Sequence, residues 1–383
     1  MVHTVCHIIT KLELGGAQHN TLYTVSHLDR ARFRSILITG ESGLLDHDAR
    51  TLPGVEFHQV PSLVRDIRPL ADLCALLALT LLLRRLKPAI VHTHSSKAGI
   101  LGRMAAWLAG VPVVIHSIHG FGFTRYQSAA VRRALIALEC LAARVTTRCF
   151  AVSEANRQLG VELGLFPENR CAVIRSGVDV AAIRRLEVDT TAKKRELGLE
   201  PGRPVVGMVA PMKPQKAPLD FVRVAAKVFG KKPEAQFLFV GDGELREAME
   251  NEIARLGLAK TFRLAGWRRD VPAIMRCLDV FVLTSLWEGL PRVYLEALAG
   301  GVPVVGTRVD GAAEVVRDGV NGYLLAPGDI NGMAERVLSL LGNPTLAADM
   351  GRRGQALPAE FDIHDMVRRQ EQEYEQLLAE MKA

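Results

Sequence analysis

The sequence predicts an α/β protein made of two doubly wound, Rossmann-like domains that face each other across a cleft. Three observations carry this. The chain has 383 residues, more than one core of ordinary size encloses and enough for two. Short apolar, β-branched runs alternate with helical patterns almost from end to end, as in parallel sheets built from βαβ units. A charged stretch of poor propensity, residues 181–203, interrupts the alternation midway.

The elements follow in order. In the first domain, residues 1–180, strands are expected at 5–9, 35–39, 55–60, 90–92, 113–117, 149–152 and 172–174, with helical sequence between most of them. The most apolar run, 73–83, is shorter than the roughly 18 residues a membrane span needs. It ends on Arg84, Arg85 and Lys87 and reads as a helix packed on a sheet. Residues 181–203 form the expected interdomain connection. The second domain, 204–361, restarts at 205–209 and continues through strands at 237–240, 280–283, 304–305 and 323–325. The closing segment, 362–383, is polar and helical, long enough to cross back onto the first domain.

A composition of 49% hydrophobic and 23% charged residues is that of a globular chain. Cys6, Cys74, Cys140, Cys149, Cys171 and Cys277 contain no CxxC pair, so they read as reduced thiols, mostly in the core, rather than as a zinc or disulfide framework. The first residues read as a strand and not as a basic, apolar and small-residue leader, which points to the cytoplasm. The net charge of +7 is uneven: residues 1–180 hold 20 Lys and Arg against 13 Asp and Glu. Residues 73–138 contain no acid, yet include Arg84, Arg85, Lys87, Lys97, Arg103, Arg125, Arg132 and Arg133. Such a surface attracts an anion, whether nucleic acid, an anionic bilayer or a phosphorylated acceptor; a plain solvated basic face is the alternative.

In open α/β sheets ligands bind outside the carboxyl ends of the strands. The strongest signal there is Glu288-Gly289-Leu290-Pro291-Arg292-Val293-Tyr294-Leu295-Glu296, a Glu-x7-Glu pattern after the 280–283 strand. Pro291 suits a first helical turn, whose N–H groups would hold a phosphate. Glu288 can accept from sugar hydroxyls and Glu296 from a ribose, although two acids at this spacing alone are ordinary on a helix rim. Gly289 beside an acid and the run Ala299-Gly300-Gly301-Val302-Pro303 into the next strand make the block specific. Lys216, after the 205–209 strand, stands at a helix mouth where it can neutralise a diphosphate. Gly15 and Gly16 follow the first strand and open a helix; alone, they are a turn. The loops Ser176-Gly177-Val178-Asp179, Gly241-Asp242-Gly243-Glu244 and Ser153-Glu154 fit the same rim, and each is equally a turn or a cap. His92, His94, His116 and His119 invite a metal, but the first two fall in a different βα unit and alternation turns His116 away. Neither a GxxxxGK[ST] loop nor a GxGxxG with a downstream acid is present, so phosphoryl-transfer and dinucleotide readings lack support.

The region 266–323, with Gly266-Trp267, Leu278-Asp279, Ser285, the Glu288 and Glu296 block, Gly300, Val302-Pro303, Glu314, Asp318 and Asn321-Gly322, resembles the retaining glycosyltransferases of family 4, the group 1 glycosyltransferases. The resemblance spans essentially the whole chain. It implies the GT-B fold and transfer of a hexose from a nucleotide-sugar, UDP-sugar by default, to a lipid-linked or cell-surface glycan acceptor. It further implies retention of configuration, no metal and no cofactor, the nucleotide-sugar being a substrate, in polysaccharide or lipopolysaccharide assembly. By resemblance, Glu288 and His119 contact the donor sugar, Glu296 the ribose and Lys216 the diphosphate. Gly15, Gly16, Gly241, Gly243, Gly289, Leu290 and Pro291 complete the donor side, and Gln18, Lys97 and Arg125 lie towards the acceptor. The family has an Arg five residues before this Lys; here the position is Pro211, and Lys213 is the nearest replacement. Asp46-x-Asp48 resembles the motif of metal-dependent, single-domain sugar transferases and reads as surface acids. The acid-free stretch, with Arg144 and Arg148 beyond it, is then expected to meet an anionic membrane leaflet or a lipid-linked acceptor rather than nucleic acid. A GT-B epimerase or hydrolase, and a nucleotide-sugar-binding protein that no longer catalyses, are the competing readings.

Overall fold

A computed structural model describes residues 2–381. The chain divides into two compact units, one made of the residues up to Gly177 together with the segment from Asp362, the other of Val178–Phe361.

The first unit holds a parallel seven-stranded sheet: β1 (His3–Ile9), β2 (Phe33–Thr39), β3 (Val55–Gln59), β4 (Ile90–His94), β5 (Val113–Ile118), β6 (Arg148–Ala151) and β7 (Cys171–Val173), in the order β3-β2-β1-β4-β5-β6-β7. A parallel sheet is covered on both faces, which is why its strands read as continuous apolar runs. On β1, Val5, Cys6, Ile8 and Ile9 are all fully buried. One face lies under the helix Ile363–Glu380, whose Ile363, Met366, Val367, Tyr374, Leu377 and Leu378 pack on Val5, Phe33, Ile90, Val113, Ile115 and Phe150. Those helix positions follow the 3.6-residue period. The other face carries the helices Pro69–Leu86 and Ser96–Leu108, which bring Ala75, Leu79, Leu83, Ala98, Ala105 and Ala106 onto Cys6, Ile8, Ile36 and Val91.

The second unit repeats the plan with six parallel strands: β8 (Val205–Val209), β9 (Gln236–Val240), β10 (Phe262–Leu264), β11 (Val280–Leu283), β12 (Val304–Thr307) and β13 (Gly322–Leu325), in the order β10-β9-β8-β11-β12-β13. In both sheets the winding reverses at the first strand, between β1 and β4 and between β8 and β11. Diverging connections leave a crevice at that switch point, where ligands of doubly wound sheets bind.

Each strand expected from the sequence is present to within two residues at either end. The unexpected one is β10, a three-residue edge strand paired with β9 and too short to show periodicity. Residues 181–203, expected to connect two domains, lie inside the second unit. They carry the helices Val180–Arg185 and Thr190–Glu196, capped by Asp179 and Asp189, which accept from the N–H groups of Ala182 and Ala192 at 2.7 and 2.9 Å. Polar contacts anchor them: Arg276 donates to the carbonyls of Ile183 and Arg184 at 3.1 and 2.9 Å, and Lys193 pairs with Asp270 at 3.0 Å.

All six cysteines are free, with Cys74 exposed and Cys140 half-buried. Burial pushes the Cys149 and Cys171 thiols up to about 12, which makes them inert packing groups. Among the described residues no helix is long and apolar enough to cross a membrane.

Candidate active site

In the second unit the loops after β8, β11 and β12 converge on Glu288. The loop after β8 closes with the 3₁₀ turn Pro214–Lys216 and then Ala217, at φ +42°, a left-handed conformation that residues with a Cβ rarely adopt. Thr284, at the end of β11, holds it there: its hydroxyl donates to the carbonyls of Lys216 and Ala217 at 2.9 Å each. The Leu286 N–H donates to the Gln215 carbonyl at 2.8 Å, and the Gln215 amide donates to the Trp287 carbonyl at 2.9 Å. Laced in this way, the two loops deliver the Lys216 ammonium onto the Glu288 carboxylate as an ion pair.

Glu288 is 8% exposed. Its carboxylate accepts from the Ser285 hydroxyl at 2.5 Å, and its N–H donates to the Asp310 carboxylate at 2.6 Å. Asp310 follows β12 and, at φ +40°, is the second left-handed residue of this site. Next to it the Gly311 N–H donates to the Gly289 carbonyl at 3.1 Å. The helix Arg292–Ala299 then opens without a side-chain cap, which leaves the positive end of its dipole to a ligand. Pro291 is the residue before this helix, with ψ 96°, and not part of its first turn as the sequence suggested. One turn on, Glu296 is buried. Burial raises its carboxyl above the ordinary value, and Arg292, 3.3 Å away, pulls the other way.

The carboxyl ends of the first sheet gather histidines. Gly15 precedes and Gly16 begins the helix Gly16–His27, while Gln18 folds back to donate to the Lys11 carbonyl at 3.3 Å. His119 stands just past β5. Its Nε2 lies 3.1 Å from His94 Nδ1, and His94 Nε2 lies 3.0 Å from His7 Nδ1. Although His92 and His94 belong to a different βα unit from His119, they are not separated from it, because β4 and β5 are neighbours in register, His94 opposite Ser117. His116 does face the other way, onto the Thr93 hydroxyl at 2.9 Å. Burial pushes His7 down to about 3 and His119 to about 4, and holds His92 and His94 well below their ordinary range. Ring nitrogens of His7, His92 and His94 lie within 4.8 Å of one another, a spacing a metal could use. His7 Nδ1 and His94 Nε2 engage each other, and His92 the hydroxyls of Tyr374 and Ser117 at 2.5 and 2.8 Å, while His7 Nε2 has no hydrogen-bond partner among the described residues.

Two sequence families match the chain, one described as "Glycosyl transferase 4-like domain" over residues 15–177 and one as "Glycosyl transferases group 1" over residues 189–357. An Escherichia coli protein described as UDP-Gal:alpha-D-GlcNAc-diphosphoundecaprenol alpha-1,3-galactosyltransferase is 36% identical over 334 residues, 85% of each chain. The chain belongs to the group 1 glycosyltransferases. The capsular polysaccharide biosynthesis glycosyltransferase CapM of Staphylococcus aureus is 26% identical over 78% of each chain. The crystal structure of Anabaena Alr3699/HepE in complex with UDP and glucose superposes with a TM-score of 0.82 over 98% of this chain and 100% of that one, at 22% identity. The two Rossmann-like units are those of the GT-B fold.

In this glycosyltransferase the structure brings Lys216, Glu288, Gly289, Leu290, Pro291 and Glu296 together around one helix start. Lys213 sits half-buried on the same loop, where its carbonyl accepts from the Lys216 N–H at 3.0 Å. Gly241 and Gly243 have a loop-packing role: a Cβ on Gly241 would lie 1.9 Å from the Ala210 carbonyl oxygen, and one on Gly243 2.8 Å from that of Met212. Lys97, read as facing an acceptor, instead pairs with Asp72 at 2.5 Å and donates to the Asp66 carbonyl, pinning Ser96–Leu108 to Pro69–Leu86. Arg103 leaves the basic surface too, buried against Glu139 at 2.5 Å. Arg125 is exposed, its guanidinium 5.1 Å from the Tyr126 ring centre. Asp46 and Asp48 occupy the first turn of the helix Asp46–Thr51, and Ser153 caps the helix Glu154–Glu162. Sequence reasoning did not single out Thr284, Asp310 or His7. An Asp-Gly step after β12 was the one available signal, for Asp310.

Proposed function

We propose that this enzyme transfers a hexose from a UDP-sugar to a lipid-linked glycan acceptor, with retention of configuration and without a metal ion. The observation that carries the reading is the Lys216–Glu288 pair at the switch point of the second sheet, beside an uncapped helix start. A departing nucleoside diphosphate needs fixed positive charge; Lys216, Lys213 on the same loop and the helix dipole supply it. Glu288 then accepts from the sugar hydroxyls and Glu296 from the ribose. The names of the Escherichia coli relative, which specify UDP-Gal and a diphosphoundecaprenol acceptor, and of the UDP-bound Anabaena structure favour this donor and acceptor class.

The acceptor class also fits the outer helices of the first unit. Pro69–Leu86 buries Ala75, Leu79 and Leu83 but leaves Leu70, Leu73, Leu77 and Leu81 exposed at helical spacing. Trp107 and Leu108 are exposed at the end of Ser96–Leu108, where the Leu108 carbonyl accepts from Arg84 at 3.0 Å. In Ala129–Ala143, Val131, Leu138 and Leu141 are exposed and only Ala142 is buried. Exposed Arg84, Arg85, Arg132, Arg133 and Arg144 accompany these residues. Apolar side chains interleaved with arginines suit the interface of an anionic bilayer.

Turnover of a UDP-hexose on a diphospholipid-linked sugar in EDTA, with the product anomer read by NMR, tests the reaction. The expected product keeps the donor's α configuration and forms at an undiminished rate. An inverted linkage would overturn retention, and loss of turnover restored by a divalent ion would overturn metal independence.

A further inference from the structure

His7 on β1, His94 at the end of β4 and His119 past β5 form a series on three neighbouring strands, linked by the 3.0 and 3.1 Å contacts. Each neutral ring carries one proton, and each contact needs a donor on one side and an acceptor on the other. Two concerted arrangements satisfy this: the proton on Nδ1 in all three rings, or on Nε2 in all three. His7 decides between them. It is fully buried, and its Nε2 has no hydrogen-bond partner among the described residues. A buried N–H without an acceptor is the costlier defect, a lone pair without a donor the lesser one. His7 therefore carries its proton on Nδ1 and donates to His94, which donates from Nδ1 to His119. His92 is no link in this series, since it bonds Tyr374 and Ser117.

We propose that His7 and His94 are positioning residues that lock His119 as its Nδ1–H tautomer, so that it presents an N–H donor to an oxygen of the nucleotide-sugar. A free neutral histidine side chain favours the Nε2–H form, so the lock opposes the default and is detectable. His119 and His94 line a small cavity of the first unit with Asn20, Ser117 and Ser176, and Nδ1 is the His119 ring nitrogen outside the series. What His119 meets there rests on the proposed transferase reading. The tautomer does not.

The test is long-range ¹H–¹⁵N NMR of the full chain labelled with ¹⁵N-histidine at pH 7.5 without substrate, assigned with His119→Gln. His119 is expected as Nδ1–H. His94→Ala, which leaves room for a water to accept from Nε2, should turn it to Nε2–H and lower kcat about tenfold, the value of one hydrogen bond, with the donor KM changed less than about twofold. His94→Asn, whose amide places a donor near the lost Nδ1–H, should restore both the tautomer and most of kcat. Nε2–H at His119 in the unsubstituted protein, or a tautomer indifferent to His94→Ala, would overturn the proposal; the first result needs no variant to fold. An Nδ1–H tautomer in a protein that transfers no sugar would leave the lock standing and remove the transferase reading instead.

Discussion

At the scale of single residues, the Lys216 ammonium and the Glu288 carboxylate are mutually dependent. Lys216→Ala leaves a carboxylate that is 8% exposed with the Ser285 hydroxyl as its side-chain donor among the described residues. Losing one partner of a buried pair costs about 3 kcal/mol. A fall in Tm is therefore expected alongside loss of donor affinity, and Lys216→Ala with Glu288→Gln should recover the Tm without the affinity, by thermal melts and titration of the double variant. The histidines make a second prediction. His7 ordinarily titrates near 6.5 but is pushed down to about 3 by burial, so on acidification the unfolded chain takes up a proton that the folded chain refuses. Stability is then full above pH 6.5 and falls as pH drops, by on the order of 2 kcal/mol for this residue at pH 5. Chemical denaturation at pH 7.5 and 5 checks it: the drop should shrink in His7→Phe, and an unchanged drop would assign it elsewhere. Glu288 and Glu296 stand out in the sequence by their spacing across one loop and helix, and Lys216 by its place after a strand at the mouth of the next helix. Asp310 and His7 do not, because they act across strand neighbours far apart in the chain.

The helices show where sequence patterning stops. The run 73–83 identifies a helix, but leucines occur on every side of it, so periodicity could not say which face is buried. In the structure Ala75 and Leu79 face the sheet and Leu77 and Leu81 face out. The short helices of 181–203 were hidden for the opposite reason: few apolar side chains mark them, and capping aspartates and ion pairs hold them. The exposed leucines carry the prediction at this scale. Leu77→Ser with Leu81→Ser, and separately Arg132→Ala with Arg133→Ala, should each weaken flotation with anionic liposomes several-fold, while donor binding in solution stays as before. The arginine pair should also lose its salt sensitivity. Equal flotation of all forms, or equal binding to neutral and anionic vesicles, would remove the membrane from the account.

Across the whole molecule, both parallel sheets and every strand but β10 follow from alternating βαβ signals, since strands buried on both faces write themselves as apolar runs. Strand order does not, because nothing local in β1 or β8 records which two strands will flank it. That order creates the switch points, and through the second of them the loops after β8 and β11 become one site. This site, Lys216 with Glu288 and Glu296 at a helix start, is where we propose that the nucleotide-sugar binds. Calorimetric titration of the full chain with UDP-, GDP- and ADP-sugars in EDTA, repeated on Lys216→Ala and Glu296→Ala, tests it most directly. Binding of a UDP-sugar without metal is expected, weakened at least about tenfold by either substitution. Binding of no sugar nucleotide, or tight binding that both variants retain, would contradict it.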